Sequence, residues 1–120
     1  MNISTLDSER LYNSFLSGAH EVIKNKNSLN EINVFPVADG DTGSNLSSTM
    51  HAIIMNAKIS GSVKETMNSI ADAALTGARG NSGIIIAQYI NGIFLSLMDD
   101  EMITISSFAE TVKNAVPYAY

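Results

Sequence analysis

Residues 33–45 read NVFPVADGDTGSN, and this segment is the most informative of the chain. Its Gly, Asp and Asn residues disfavour a β-strand and are typical of turns. In a loop bent by glycine, Asp39 and Asp41 can converge on one point and present the hard oxygen ligands that Mg²⁺ or Ca²⁺ prefers. Ser44 or Asn45 is then expected as the N-cap of a helix, whose first amides and positive dipole end suit a phosphate. The segment therefore indicates a site for a Mg²⁺–nucleotide complex.

Two other interpretations of this segment compete with the first. A solvated Asp-Gly-Asp turn would carry no function, and the segment alone leaves that interpretation open. An EF-hand calcium loop requires Gly at its sixth position and Glu at its twelfth. Counted from Asp39, these positions hold Ser44 and Met50, so the EF-hand is excluded.

Composition limits the classes of protein to consider. With 120 residues, of which 45% are hydrophobic and 16% charged, the chain can form one small domain with a core. The net charge of −5, without a cluster of Lys or Arg, argues against a nucleic-acid partner. The chain has no cysteine, no signal-peptide pattern at its start and no apolar run long enough for a membrane span. We therefore expect a soluble cytoplasmic protein.

Apolar residues at helical spacing predict an all-α domain with five helices and no strand. The predicted helices cover residues 5–25 behind a capping box of Ser4 and Asp7, 44–57, 63–77 behind a capping box of Ser62 and Glu65, 82–98, and a last one that begins at the capping box of Ser107 and Glu110 and runs into Pro117. Residues 27–43 show no helical period. We expect an ordered loop there, which packs its apolar side chains beneath itself and holds Asp39 and Asp41 in place.

A second glycine-rich segment, GARGNSG at residues 77–83, precedes the fourth predicted helix. It lacks the Gly-Lys-Ser/Thr ending of a P-loop, and no strand precedes it, so neither a P-loop nor a Rossmann fingerprint applies. By itself it is a connection between two helices. Together with the first segment, it offers the amides of Asn81, Ser82 and Gly83 to phosphate oxygens. Arg79 can pair with phosphate charge or cap the end of a helix.

These two segments, taken together, closely resemble the N-terminal domain of the kinase component of fatty acid kinases (FakA), which belongs to the dihydroxyacetone kinase L-type (DhaL, or DAK2) nucleotide-binding domains. The resemblance covers nearly the whole chain. It implies an antiparallel helical barrel that binds ATP at one rim through two Mg²⁺ ions. By position, it implies Asn33, Asp39 and Asp41 as metal ligands, with the two carboxylates catalytic. The nucleotide contacts that it implies are Thr42, Gly43, Ser44, Asn45, Gly80, Asn81, Ser82 and Gly83.

The reaction implied by the resemblance is transfer of the γ-phosphate of ATP to a fatty acid carboxylate, which gives an acyl phosphate. A separate DegV-like (FakB) protein would present the fatty acid. Such chemistry depends on positioning and on charge neutralisation by metal ions, so the kinase needs no nucleophile of its own. The NVFP lead-in and Thr42 favour this branch over the dihydroxyacetone branch. The alternatives are a DhaL-type phosphotransfer protein for dihydroxyacetone and a helical interaction module without enzymatic activity.

The sequence departs from the family pattern in two places. Ala38 replaces the proline that commonly precedes the Asp-Gly-Asp motif, which would loosen the loop without removing a ligand. The chain also ends in the fifth predicted helix, whereas the family domain continues through further helices. We therefore expect a partial domain that is inactive alone and that self-associates through its exposed inner apolar faces.

Overall fold

The structure is a computed structural model, and it describes residues 5–32, 40–97 and 103–119. The described residues form α-helices, one 3₁₀ helix and a single pair of two-residue strands. In chain order, these are β1 (Thr5–Leu6), α1 (Ser8–Lys24), α2 (Lys26–Glu31), α3 (Thr42–Asn56), α4 (Val63–Gly77), α5 (Gly80–Ser96), β2 (Ile103–Thr104), α6 (Ile105–Ala115) and the 3₁₀ helix Val116–Ala119. The all-α prediction is confirmed.

The core lies between α1, α3, α4 and α5. Helix α4 is central to it, because Met67, Ile70 and Ala74 are completely buried on one face. These are the positions that the apolar stripe of this helix predicts. Helices α3 and α4 approach closely at Gly77, where any side chain would overlap Ala52. The other buried apolar residues of the core are Leu11, Ala19, Met50, Ile53, Ala57, Val63, Ala71, Ala73, Ala87, Ile90, Ile93, Leu97, Ile103 and Ala115.

The first helix begins later than its apolar pattern predicts. Residues Thr5–Leu6 pair antiparallel with Ile103–Thr104, so they are extended and not helical. Asp7 is the N-cap of α1, and its carboxylate accepts a hydrogen bond from the Arg10 N–H at 2.9 Å. The predicted capping box of Ser4 and Asp7 is therefore wrong in its register, and Ser4 itself lies outside the described residues.

Helix α2 lies in the segment that the sequence predicts to be a loop. It contains six residues, KNSLNE, and only Leu29 among them is apolar, so no helical period can be read from its sequence. Residues 33–39 of the expected loop lie outside the described residues. The loop prediction is thus wrong for residues 27–31, where tertiary packing and not periodicity determines the helix.

The predicted start of α4 is confirmed, and the predicted start of α6 is wrong. Ser62 caps α4 as expected, since its hydroxyl accepts from the Glu65 N–H at 3.0 Å. Helix α6 begins at Ile105 instead of behind Ser107, because the Thr104 hydroxyl accepts from the Ser107 N–H at 3.0 Å. Pro117 does not stop α6 directly but lies within the 3₁₀ helix Val116–Ala119. None of the helices in the described residues is long and apolar enough to cross a membrane.

Candidate functional site

The N-termini of α3 and α5 lie side by side. The Ser82 hydroxyl donates to the carbonyl oxygen of Thr42 at 3.4 Å. Gly80 lies so close to the Asn45 side-chain amide that a side chain on Gly80 would overlap it. The first N–H groups of a helix have no partner within the helix, and its N-terminus carries a partial positive charge. Two such ends in contact form an environment that suits an anion. The described part of the first glycine-rich segment, residues 40–45, therefore meets the second one.

Helix α3 begins two residues earlier than predicted. Asp41 occupies the N-cap position, and its carboxylate makes no capping hydrogen bond to α3. The expected N-cap role of Ser44 or Asn45 is therefore wrong, because both residues already lie within the helix. The capping acceptor comes instead from another element: Asn30 of α2 accepts a hydrogen bond from the Ser44 N–H at 2.9 Å. The N-terminus of α3 is consequently capped from outside.

Helix α2 holds the first turn of α3 through two contacts. The Asn30 side chain also donates from Nδ2 to the Ser44 hydroxyl oxygen, at 3.0 Å. Gly43 is buried against α2, where any side chain would overlap the carbonyl oxygen of Lys26. Sequence reasoning missed Asn30, since its segment shows no helical period and a lone asparagine indicates only a turn.

Helix α5 also begins two residues before its predicted start. Gly80 adopts a positive φ of 67°, which glycine accommodates readily, and the chain enters the helix there with Arg79 at the N-cap position. The Gly83 N–H donates to the carbonyl oxygen of Arg79 at 3.2 Å. The Gly83 amide is therefore bonded within the helix, and a contact of Gly83 with a nucleotide stays a prediction. The amides of the first turn belong to Gly80, Asn81 and Ser82.

Thr49 joins α3 to the second glycine-rich segment. Its side chain is completely buried, and its hydroxyl donates to the carbonyl oxygen of Asn45 at 2.9 Å. The same hydroxyl oxygen accepts from the Arg79 N–H at 3.3 Å, and Gly83 packs so closely against it that a side chain there would overlap. Thr49 is therefore not a surface threonine, and it supports the turn into α5.

A cavity of about 440 Å³ opens beside the two helix starts. Such a volume lies in the usual range for small-molecule sites. Thr42 and Ser82 bring hydroxyl groups from the first turns of α3 and α5, and most of the remaining wall is apolar. The cavity is lined by Thr42, Leu46, Ser82, Ile85, Ile86, Tyr89 and Ala119. The arrangement places backbone amides of the two helix starts beside an apolar wall that suits a flat ring.

The predicted metal ligands are only partly within the described residues. Asn33 and Asp39 lie outside them, and Asp41 lies half-buried at the start of α3. Within residues 5–32, 40–97 and 103–119, no group of three or more His, Asp or Glu side chains is placed to hold a metal ion. The Asp41 carboxylate suits Mg²⁺ by its donor chemistry. The complete ligand set of Asn33, Asp39 and Asp41 stays a prediction.

Most of the chain matches one known domain family: the family model for the DAK2 domain matches residues 36–120. The chain is 34% identical over 122 residues to Protein YloV of Bacillus subtilis, an alignment that covers 100% of this chain and 22% of YloV. It is 34% identical over 122 residues to an uncharacterised protein of Staphylococcus saprophyticus, and 30% identical over 120 residues to one of Staphylococcus aureus, with 98% of this chain and 22% of each relative covered. The chain thus spans about a fifth of the length of these relatives.

Proposed function

Since the chain belongs to the DAK2 domain family of DhaL-type nucleotide-binding domains, we propose that it binds ATP with Mg²⁺ as the nucleotide-binding domain of a fatty acid kinase. The observation that carries the proposal is the contact between the starts of α3 and α5, made by Asn45 against Gly80 and by Ser82 with Thr42. It brings both glycine-rich segments to one site beside a cavity of suitable size.

The phosphates of ATP would be bound mainly by backbone amides. The chain carries a net charge of −5, so attraction for a polyanion has to come from local donors and bound metal rather than from a basic surface. The donors would be the amides of Gly43, Gly80, Asn81 and Ser82, with the side chains of Ser44 and Asn45. The base would lie in the cavity against Leu46, Ile86 and Tyr89.

Asn33, Asp39 and Asp41 would hold Mg²⁺ at the phosphate end. When bound, ATP supplies the γ-phosphoryl group and Mg²⁺ neutralises the charge of its oxygens. The chain itself then acts by orienting the phosphates through the two helix starts and by excluding water with the apolar wall of the cavity. This division of roles requires no nucleophilic side chain, and the chain contains no cysteine.

The phosphoryl acceptor would be a fatty acid carboxylate that a DegV-like protein presents to the kinase. Support comes from the NVFP lead-in and Thr42, which are similar to the fatty acid kinase branch. The test uses the longer protein that carries this domain, with ATP, Mg²⁺ and a purified DegV-like protein loaded with fatty acid. Acyl phosphate, trapped with hydroxylamine, is the expected product. Formation of dihydroxyacetone phosphate from dihydroxyacetone, without acyl phosphate, would contradict the proposal.

Nucleotide binding by the chain can be tested by calorimetry. ATP is titrated with and without Mg²⁺ into the wild-type chain, the double variant Asp39→Asn/Asp41→Asn, and Asp72→Asn, which removes an exposed carboxylate on α4. We expect Mg²⁺-dependent binding by the wild type and Asp72→Asn, and a loss of at least about tenfold in the double variant. Equal binding by all three proteins would contradict the predicted metal ligands. The alternative of a helical interaction module predicts this result, since its carboxylates would have no role in binding.

A further inference from the structure

The Asn30 side chain makes two hydrogen bonds to one residue of the first turn of α3. Its Oδ1 accepts from the Ser44 N–H at 2.9 Å, and its Nδ2 donates to the Ser44 Oγ at 3.0 Å. Asn30 and Ser44 are both half-buried, and the bonds join residues 14 positions apart on different helices. The pair is therefore a tertiary contact and not a local turn.

The chemistry of the four atoms fixes the direction of both hydrogen bonds. A backbone N–H can only donate, so the Asn30 atom that faces it has to be the carbonyl oxygen. The other Asn30 atom is then the NH₂ group, which can also only donate. The Ser44 oxygen therefore accepts from Asn30, and the Ser44 hydroxyl proton has to point to an acceptor other than Asn30. This assignment follows from the bonding partners and needs no observed hydrogen.

Ser44 lies in the first turn of α3, beside residues that contact the start of α5. It follows Thr42, whose carbonyl oxygen accepts from Ser82, and directly precedes Asn45, which covers Gly80. Because the Ser44 N–H is already bonded to Asn30, Ser44 can contribute only its hydroxyl to a ligand at this site. An anionic oxygen is the acceptor that a hydroxyl donor in this position would bind most strongly.

We infer that Asn30 is a positioning residue that holds the Ser44 hydroxyl as a hydrogen-bond donor to a phosphate oxygen of the bound nucleotide. The inference rests on the proposed function and extends it to a residue of α2. Asn30 does not touch the nucleotide. It acts through Ser44, because it accepts from the Ser44 N–H and donates to the Ser44 hydroxyl oxygen. The hydroxyl proton is then directed to the ligand. The rival explanation is that Asn30 only caps α3 and has no influence on the ligand.

The variant Asn30→Asp separates these explanations. An aspartate retains an oxygen for the Ser44 N–H but cannot donate to the Ser44 Oγ, so the hydroxyl turns its proton toward the carboxylate. We expect about tenfold weaker binding of ATP with Mg²⁺ in calorimetry, the usual effect of losing one hydrogen bond to a charged group. The variant should fold, since a carboxylate at the N-terminus of α3 is electrostatically favourable.

Asn27→Asp is the matched control for the added negative charge. It makes the same chemical change at an exposed position of the same helix, and it should alter the Kd for ATP by less than about twofold. The charge at position 30 is closer to the site, so a second comparison is made in the Ser44→Ala background. If Asn30 acts through the hydroxyl, Asn30→Asp should then weaken binding by less than about twofold further.

The outcomes distinguish the inference from the proposed function. A strong effect of Asn30→Asp in the wild-type background that largely disappears with Ser44→Ala supports the inference. An unchanged Kd for Asn30→Asp, or an equal effect in both backgrounds, would overturn it while binding of ATP by the wild type still stood. Absence of Mg²⁺–ATP binding by the wild-type chain would overturn the proposed function, and this inference with it.

Discussion

At the scale of one residue, Gly43 shows why the first glycine-rich segment does not tolerate a side chain at this position. It is buried in the first turn of α3, and a methyl group there would overlap the carbonyl oxygen of Lys26. Gly43→Ala should lower the free energy of unfolding by about 1–3 kcal/mol, the usual effect of overpacking. Gly18→Ala is the control, since no atom lies within 4 Å of the added methyl on α1. It should raise stability by about 0.5–1 kcal/mol. Urea denaturation measures the free energy of unfolding of both variants. Equal changes in the two variants would contradict the close packing of Gly43 against α2.

Thr49 makes a second prediction at this scale. Thr49→Val preserves the shape of the buried side chain but removes the hydrogen bonds to Asn45 and Arg79. The free energy of unfolding should fall by about 1–2 kcal/mol, because the Arg79 N–H loses its acceptor. Thr49→Ser retains the hydroxyl and should keep the affinity for ATP, whereas Thr49→Val should weaken it by loosening the start of α5. Equal affinities of the two variants would show that Thr49 has no role in the site.

Asn30 and Thr49 also show what sequence alone could not predict. The glycine-rich segments are recognisable because Gly, Asp and Asn favour turns and helix starts by their own chemistry. Asn30 and Thr49 are ordinary residue types, and their importance lies in the atoms they bond across 14 and 30 positions of the chain. No periodicity or motif records such a pairing.

At the scale of elements, Lys64 ties the start of α4 to the end of α5. Its Nζ donates to the Leu97 carbonyl oxygen at 2.8 Å and lies 5.0 Å from the centre of the Phe94 ring. Lys64→Met keeps most of the aliphatic length and removes both interactions, so stability should fall by about 1–2 kcal/mol. Lys58→Met, at an exposed position before α4, should change stability by less than about 0.5 kcal/mol. Thermal unfolding measures both, and equal losses would refute the role of Lys64.

The elements themselves were predictable where an apolar stripe spans several turns. For this reason the apolar pattern predicts the centres of α1, α3, α4 and α5 correctly. It does not predict where α1, α3 and α5 begin, which is at Ser8, Thr42 and Gly80. Each of these depends on something that the local sequence does not display: the pairing of β1 with β2, the external cap from Asn30, and the positive φ of Gly80.

At the scale of the whole molecule, apolar side chains remain exposed along α5. Ile84, Ile85 and Leu95 are 46–51% exposed, and a protein that leaves such a face uncovered tends to associate. We predict that the chain self-associates at tens of micromolar, and that Ile84→Gln/Leu95→Gln shifts it toward the monomer. Met55→Gln on α3, at the more exposed Met55, is the control and should have no effect. A monodisperse wild-type monomer in light scattering would contradict the prediction.

The central claim is that the starts of α3 and α5 form one phosphate site, and amide NMR during a titration with ATP and Mg²⁺ tests it most directly. The account predicts that the N–H resonances of Thr42, Gly43, Gly80 and Asn81 shift together with one apparent affinity. Resonances of α6, such as that of Thr111, should stay in place. Shifts confined to one of the two helix starts, or no shift at either, would contradict the claim.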